Sequence, residues 1–327
     1  MIGALARKTL QTASALLATS FLVFIAVYLI GEPTALYDPL IREDPERLAA
    51  LRERLGLNLP LHEQYLRFLA NLLQGDFGES WVYQEPAVMV ILERLPATLE
   101  LVFIAMVLAV VLGYPLGLLA GLSRNNSYAA FIERAAIFGY STPTFWIGLV
   151  LIYVFGVWGN ILPTIGRGES ITILGGEWSL VTLDGLSHLI LPAVTLALYE
   201  IGYVTRMVST MTQETTPKDF IRFARAKGLP QKRIVSNHII KNTSIPLITI
   251  IAIETGALIA GSVITETVFG WPGIGKLLVD SVAALDRPVI VAFIMLTVCF
   301  FLILNLVADL LYTIVDPRLR QPAGGTA

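Results

Sequence analysis

Two carboxylates and one basic loop carry the chemistry this sequence offers. Glu200 lies in Leu198-Tyr199-Glu200-Ile201-Gly202-Tyr203 and Glu254 in Ile253-Glu254-Thr255-Gly256, each near the middle of an apolar stretch of membrane-crossing length. An ionisable group at the centre of a bilayer costs ~2.5–3.5 kcal/mol on insertion scales, so its default reading is functional. Both acids are expected to face a bundle interior or a wet cavity. With Tyr203 they would line a path that favours a cation or an amino terminus; the structural alternative is that they pair with each other or with a neighbouring subunit. The basic loop runs from Ser209 to Asn242 and holds seven Lys or Arg against Glu214 and Asp219. Its charges interleave with Phe220, Phe223, Ala224, Ile234, Val235 and Ile239 at helical spacing. Pro217 suits a helix start, and Gly228 with Pro230 suits a stop. The loop reads as helix, sharp turn, helix, with Phe220 and Phe223 as an apolar anchor and Ala224 and Ala226 permitting close approach of another surface. A lipid-binding or purely topogenic role is the plainer alternative.

The elements that position these groups follow from composition. Of the 327 residues, 55% are hydrophobic and 15% charged, with a net charge of -2, and the mean hydropathy is +0.70. Soluble domains carry about 25% charged residues, so a soluble enzyme and a disordered chain are both excluded. A spanning helix needs roughly 20 apolar residues. Six stretches qualify: Leu10–Ile30, Ala97–Leu122, Ala135–Val157, His188–Val208, Thr243–Ile264 and Val289–Ile314. The first is too long for a signal peptide and lacks a clear cleavage site, so it reads as an uncleaved helix. With both termini cytoplasmic, the cytoplasmic segments hold fourteen Lys or Arg, including Arg7, Lys8, Arg124 and Arg134. The two short outer loops hold only Arg167, Lys276 and Arg287. That asymmetry fixes the orientation.

The chain thus reads as an all-α membrane protein. Residues 1–30 form an N-terminal segment and first transmembrane helix, 31–96 a periplasmic loop region with short helices, 97–314 a core of five further helices, and 315–327 a cytoplasmic tail. In the first loop, Pro45 to Arg52 and Leu61 to Leu73 have helical spacing. In the second, Ile171 to Leu180 reads as two β-prone runs about Gly175-Gly176. Phe269-Gly270-Trp271-Pro272-Gly273 predicts an irregular re-entry at the interface. Glu100 reads as an interfacial structural residue, as do Asn305 and Asp309 in the sixth span. Gly113 and Gly117 form a small-xxx-small packing face, and Pro115, Pro143, Pro192 and Pro246 are candidate kinks. His62, His188, His238 and Cys299 lack metal-ligand spacing, so no metal site is expected. No nucleophile–base set and no phosphate-binding G-x-x-x-x-G-K-[ST] loop occurs, so neither catalysis nor an ATP site is expected in this chain.

Arg222-Phe223-Ala224-Arg225-Ala226-Lys227-Gly228-Leu229, followed by His238, Lys241-Asn242 and Pro246, resembles the EAA loop of ABC importer permeases, in particular the dipeptide/oligopeptide/nickel permease family. Leu55-Gly56-Leu57, Gly75-Asp76-Phe77-Gly78, Glu93 to Glu100, Thr142 to Trp146, Glu266 to Gly273 and Asp316-Pro317-Arg318 fit in order over about 300 residues. The general EAA pattern begins with Glu where this chain has Arg222, as the peptide-type subfamily does. The resemblance implies a type I permease fold and one half of a pathway for peptides across the bacterial inner membrane. It also implies a second homologous permease, two ATPase subunits that bind ATP and Mg, and a periplasmic solute-binding protein, with no nucleic-acid partner. Phe220, Arg222, Phe223, Ala224, Arg225, Ala226, Lys227 and Gly228 would then couple to the ATPase. Nickel or oligosaccharide is the alternative cargo. A stand-alone ion-coupled transporter would place Glu200 and Glu254 as ion sites, but no internal repeat supports it.

Overall fold

The computed structural model describes residues 2–29, 45–54, 58–123, 126–173 and 175–315. Side chains from Leu304 onward, among them Asn305 and Asp309, lie outside the described residues, as do Leu55-Gly56-Leu57 and the tail from Asp316. Among the described residues most are helical. The chain divides into two compact units, Met1–Glu93 with Leu277–Leu302, and Arg94–Lys276 with Ile303–Ala327.

The first unit holds α1 (Ile2–Leu29), α2 (Pro45–Arg54) and α3 (Leu61–Leu73). Pro45 at the start of α2 and Glu46 in its first turn suit a helix N-terminus. Apolar spacing along α3 puts Tyr65 and Phe68 on one face. Tyr65 packs edge-on against Phe21 at 5.5 Å, and Phe68 lies 5.7 Å from Phe24. The Tyr65 hydroxyl sits 3.0 Å from the Ser20 hydroxyl, so the polar tip is partnered where the ring is half-buried. In the same unit Asp286 is fully buried. Its carboxylate accepts from the Ser80 hydroxyl at 2.5 Å and from the Trp81 amide at 3.2 Å.

In the second unit the spans lengthen and bend. The helix α4 (Ala87–Leu108) passes through a π-helical turn at Ala109–Gly113 into α5 (Tyr114–Leu122), making one apolar helix of 36 residues. It begins ten residues before the expected span and carries Pro96 inside it. A proline there removes only one ladder bond, which spanning helices tolerate. The expected third span is two helices. α6 (Ser127–Ser141) and α7 (Thr144–Leu151, continued as a π-helical segment Ile152–Trp158) meet at 99°. The break falls at Thr142-Pro143, where proline forces its predecessor out of the helical region; Thr142 has ψ 132. β1 (Ile171–Ile173) and β2 (Gly176–Trp178) form the expected antiparallel hairpin, turning through Gly175 at φ +81. α8 (Leu183–Thr215) is 33 residues long, its start capped by the Thr182 hydroxyl. After α9 (Asp219–Ala226), the short α10 (Gln231–Ile234) runs through a π-helical segment into α11 (Ile240–Val268). α12 (Ile274–Ala283) and α13 (Arg287–Val315) follow, the greater part of each in the first unit.

Among the described residues three helices are long and apolar enough to cross a bilayer, and four if the bent pair counts as one. Within α1 and α13 lie shorter apolar stretches, Ala13–Ala26 and Arg287–Ile303, among the described residues.

Helix α8 is the centre of the second unit, and glycine lets its neighbours reach it. A Cβ on Gly117 of α5 would stand 2.5 Å from the Thr205 carbonyl, and one on Gly121 would stand 2.5 Å from Thr212 Cβ. On α8 itself, Gly202 lies against the Ala136 carbonyl of α6. Close backbone approach of this kind replaces the hydrophobic drive that lipid cannot supply. The substitution Gly117→Leu should therefore push α5 off α8 and destabilise the fold by about 1–3 kcal/mol. A lowered melting temperature of the detergent-solubilised protein is the expected reading, and an unchanged one would contradict the packing argument.

Candidate functional site

The basic loop is built as its residue types require. Lys218 is extended, Asp219 opens α9 and Arg225 sits in its last turn, charges that suit the helix dipole at both ends. The helix ends in a Schellman motif. Gly228 adopts φ +76, its amide bonds the Arg225 carbonyl at 2.9 Å, and the Leu229 amide bonds the Ala224 carbonyl at 3.3 Å. Ile221, Ala224, Ile234 and Ile239 form a buried cluster, against which Leu118 and Leu122 of α5 pack. Ala224 thus faces the chain's own core, not the outside surface expected for it, because it falls one turn from Ile221 on the same helix face. Arg222, Phe223, Arg225, Ala226, Lys227 and Gly228 are exposed. Phe223 is 62% exposed and Phe220 40%. The Lys227 ammonium lies 4.5 Å from the Phe223 ring, and Arg222 lies 3.8 Å from Asp219. The result is a basic, aromatic surface on a helix braced against a span.

At the far end of the same spans, two buried carboxylates tie the loops down. Glu266, in α11, is fully buried. It accepts from the Thr98 hydroxyl at 2.6 Å, the Ser262 hydroxyl at 2.9 Å and the Lys276 amide at 2.9 Å. Thr98 in turn accepts from the Ile274 amide, and the Trp271 indole donates to the Ala97 carbonyl. Gly273 is required because a Cβ there would overlap the Glu266 carboxylate. Glu100, two residues along α4 from Thr98, accepts from the Ser179 amide and hydroxyl, both at 2.6 Å, and from Arg167 at 3.0 Å. Arg167 also donates to the Glu177 carbonyl of the hairpin and lies 5.9 Å over the Trp271 ring. Glu100 is thus the structural residue its position suggested. The Thr98–Glu266 pair had no signal in the sequence beyond two polar residues beside apolar runs.

Glu200 and Glu254 lie on α8 and α11, which pack on one another. Glu200 is fully buried and Glu254 half-buried. The two carboxylates are within electrostatic reach of one another, and Tyr203 is within electrostatic reach of both. The Tyr140 ring, which spacing did not single out, stacks on Tyr199 at 4.7 Å and on Tyr203 at 6.1 Å. Among the described residues no group of three or more His, Cys, Asp or Glu could hold a metal ion.

Loss of the Glu266 carboxylate leaves buried hydroxyls and an amide without an acceptor, at about 1–3 kcal/mol for each group orphaned. Glu266→Ala should accordingly lower the melting temperature of the purified chain more than Thr98→Val does. Equal melting of Glu266→Ala and the parent would remove the carboxylate from its role as a tie.

Comparison with known proteins shows the family. The sequence pattern of the family described as binding-protein-dependent transport system inner membrane component matches residues 113–321, and that of its N-terminal part matches residues 1–102. The di/tripeptide transport system permease protein DppB of Pseudomonas aeruginosa is 36% identical, over 98% of this chain and 99% of the relative. The dipeptide transport system permease protein DppB of Escherichia coli K12 is 34% identical, over 92% and 94%. The oligopeptide transport system permease protein AppB of Bacillus subtilis is 37% identical, over 98% and 100%. In three dimensions, a chain of the inward-facing MetNI methionine ABC transporter aligns with a TM-score of 0.54 at 16% identity, over 70% of this chain and 97% of that chain, a likeness of fold. The chain belongs to the family of binding-protein-dependent transport system inner membrane components, and it is a multi-pass membrane permease subunit.

Proposed function

We propose that this chain forms one half of the membrane pathway of an ATP-driven peptide importer in the bacterial inner membrane, with six spans and both termini in the cytoplasm. The names of its relatives support peptide as the cargo. A second permease would complete the pathway, a periplasmic binding protein would deliver the solute to the outer loops, and two ATPase subunits would bind ATP and Mg. This chain carries no phosphate-binding loop, so the free energy of hydrolysis has to arrive by contact.

The observation that carries the reading is the way α9 is mounted. Its outward face offers Phe220, Arg222, Phe223, Arg225, Ala226, Lys227 and Gly228, and its inward face is locked through Ile221 and Ala224 onto Leu118 and Leu122 of α5. An aromatic anchor between guanidinium and ammonium groups suits a cleft with acidic walls. Helix α5 is in turn pressed on α8 at Gly117 and Gly121. A push on α9 would therefore move α5 and α8 with it, since close-packed helices transmit displacement instead of absorbing it. Glu200, Tyr203 and Glu254 would line the path that this movement opens.

Three variants test the coupling surface. Phe223→Asp, Arg225→Glu and Gly228→Trp all alter exposed positions, and Gly228→Trp also places a side chain at a positive φ. Each should leave the chain inserted and assembled with its partner permease while ATPase co-purification and ATP-dependent peptide uptake fall at least about tenfold, the effect of losing one anchor worth ~1.4 kcal/mol or more. Normal uptake by all three would end the docking role of this surface.

A further inference from the structure

Four carboxylates are fully buried among the described residues: Glu100, Glu200, Glu266 and Asp286. Three are surrounded by donors. Glu100 has Ser179 and Arg167, Glu266 has Thr98, Ser262 and the Lys276 amide, and Asp286 has Ser80 and the Trp81 amide. Glu200 is the exception. Its Oε2 is enclosed and meets no hydrogen-bond donor among the described residues. A second carboxylate, Glu254, stands within electrostatic reach. Among the described residues no Lys or Arg comes within ion-pair distance of either. Two acids within electrostatic reach on neighbouring spans, one of them lacking a donor, form a site short of a cation.

The surroundings say which cation. Ca²⁺ needs about 6–8 oxygen ligands, and Mg²⁺ needs a near-ideal octahedron. Two carboxylates flanked by tyrosines do not furnish either. A primary ammonium needs only three acceptors and tolerates a mixed shell. It also gains from aromatic faces, and the half-buried rings of Tyr140, Tyr199 and Tyr203 stack beside the acids. We infer that Glu200 and Glu254, with Tyr203, form a transient binding site for the protonated primary amine of the transported solute, so that the membrane path itself recognises a free amino terminus. This deepens the permease reading and rests on it. Glu254 is the entrance, being half-exposed, and Glu200 is the enclosed end of the site.

The test uses membrane vesicles that contain the complete transporter. Dicyclohexylcarbodiimide modifies carboxyl groups in apolar surroundings, and total modification of Glu200 can be followed by peptide mass. Alanyl-alanine should slow that modification about tenfold, the effect of ~1.4 kcal/mol of charge-assisted binding. N-acetyl-alanyl-alanine, which lacks the ammonium, should leave it unchanged, and Glu254→Gln should abolish the protection by alanyl-alanine. Equal modification rates with both dipeptides would overturn the inference. So would a Glu200 that reacts only after the partner permease is stripped away, because a cation of that subunit would then occupy the site. ATP-dependent uptake by the same vesicles reports on the permease reading separately: uptake without protection sinks the amine site alone, and protection without uptake upholds the site while sinking the transport reading.

Discussion

Inside hydrocarbon no water is available to rescue a polar group, so every buried donor and acceptor has to be matched from within the protein. This chain meets that requirement with carboxylates used as ties. Glu266 reaches Thr98 across 168 residues of sequence, and Glu100 reaches Ser179 across 79. Each accepts several short hydrogen bonds from neutral groups, and Glu100 adds a guanidinium. The irregular segments at that end of the spans, the hairpin and the Phe269 to Gly273 re-entry, are fixed by these contacts and not by regular ladders. The same accounting gives Glu200 its meaning. Among the fully buried acids of the described residues, Glu200 alone keeps an enclosed oxygen without a donor, and a buried carboxylate left so is a candidate for function.

Close packing supplies the second half of the account. The Gly117 and Gly121 positions bring α5 onto the backbone of α8, and Gly202 brings α8 onto α6. Lipid offers no hydrophobic drive for helices to associate, so dispersion and backbone proximity do the joining. The basic loop is fastened to the same assembly through Ile221, Ala224, Ile234 and Ile239. Surface and spans are thereby one mechanical body in the second unit, and the exposed aromatic and basic residues of α9 stand where force can be applied to it.

Much of this was legible in the sequence, and the exceptions have physical reasons. The loop's helix, turn and second helix followed from Pro217, Gly228 and Pro230, and the hairpin from the β-prone runs about Gly175-Gly176. These are local signals, set by φ preferences and side-chain period. The side of α9 that Ala224 occupies was misread, because alanine fits either a core or a close external contact and only the neighbouring Ile221 and α5 decide. Pro143 was legible as a candidate kink, but not as a bend of 99°, because composition stays apolar through the break. The ties of Glu266 and the stacking of Tyr140 on Tyr199 join elements far apart in the chain, and no spacing rule reaches that far.

The central claim is that this chain moves solute only when a separate nucleotide-hydrolysing subunit drives it. Accumulation of a radiolabelled dipeptide in proteoliposomes measures that directly. The account predicts accumulation when both permeases, the ATPases, the binding protein and ATP are present, and none from this chain alone under an imposed proton or sodium gradient. Concentrative uptake by the chain alone on such a gradient would contradict it.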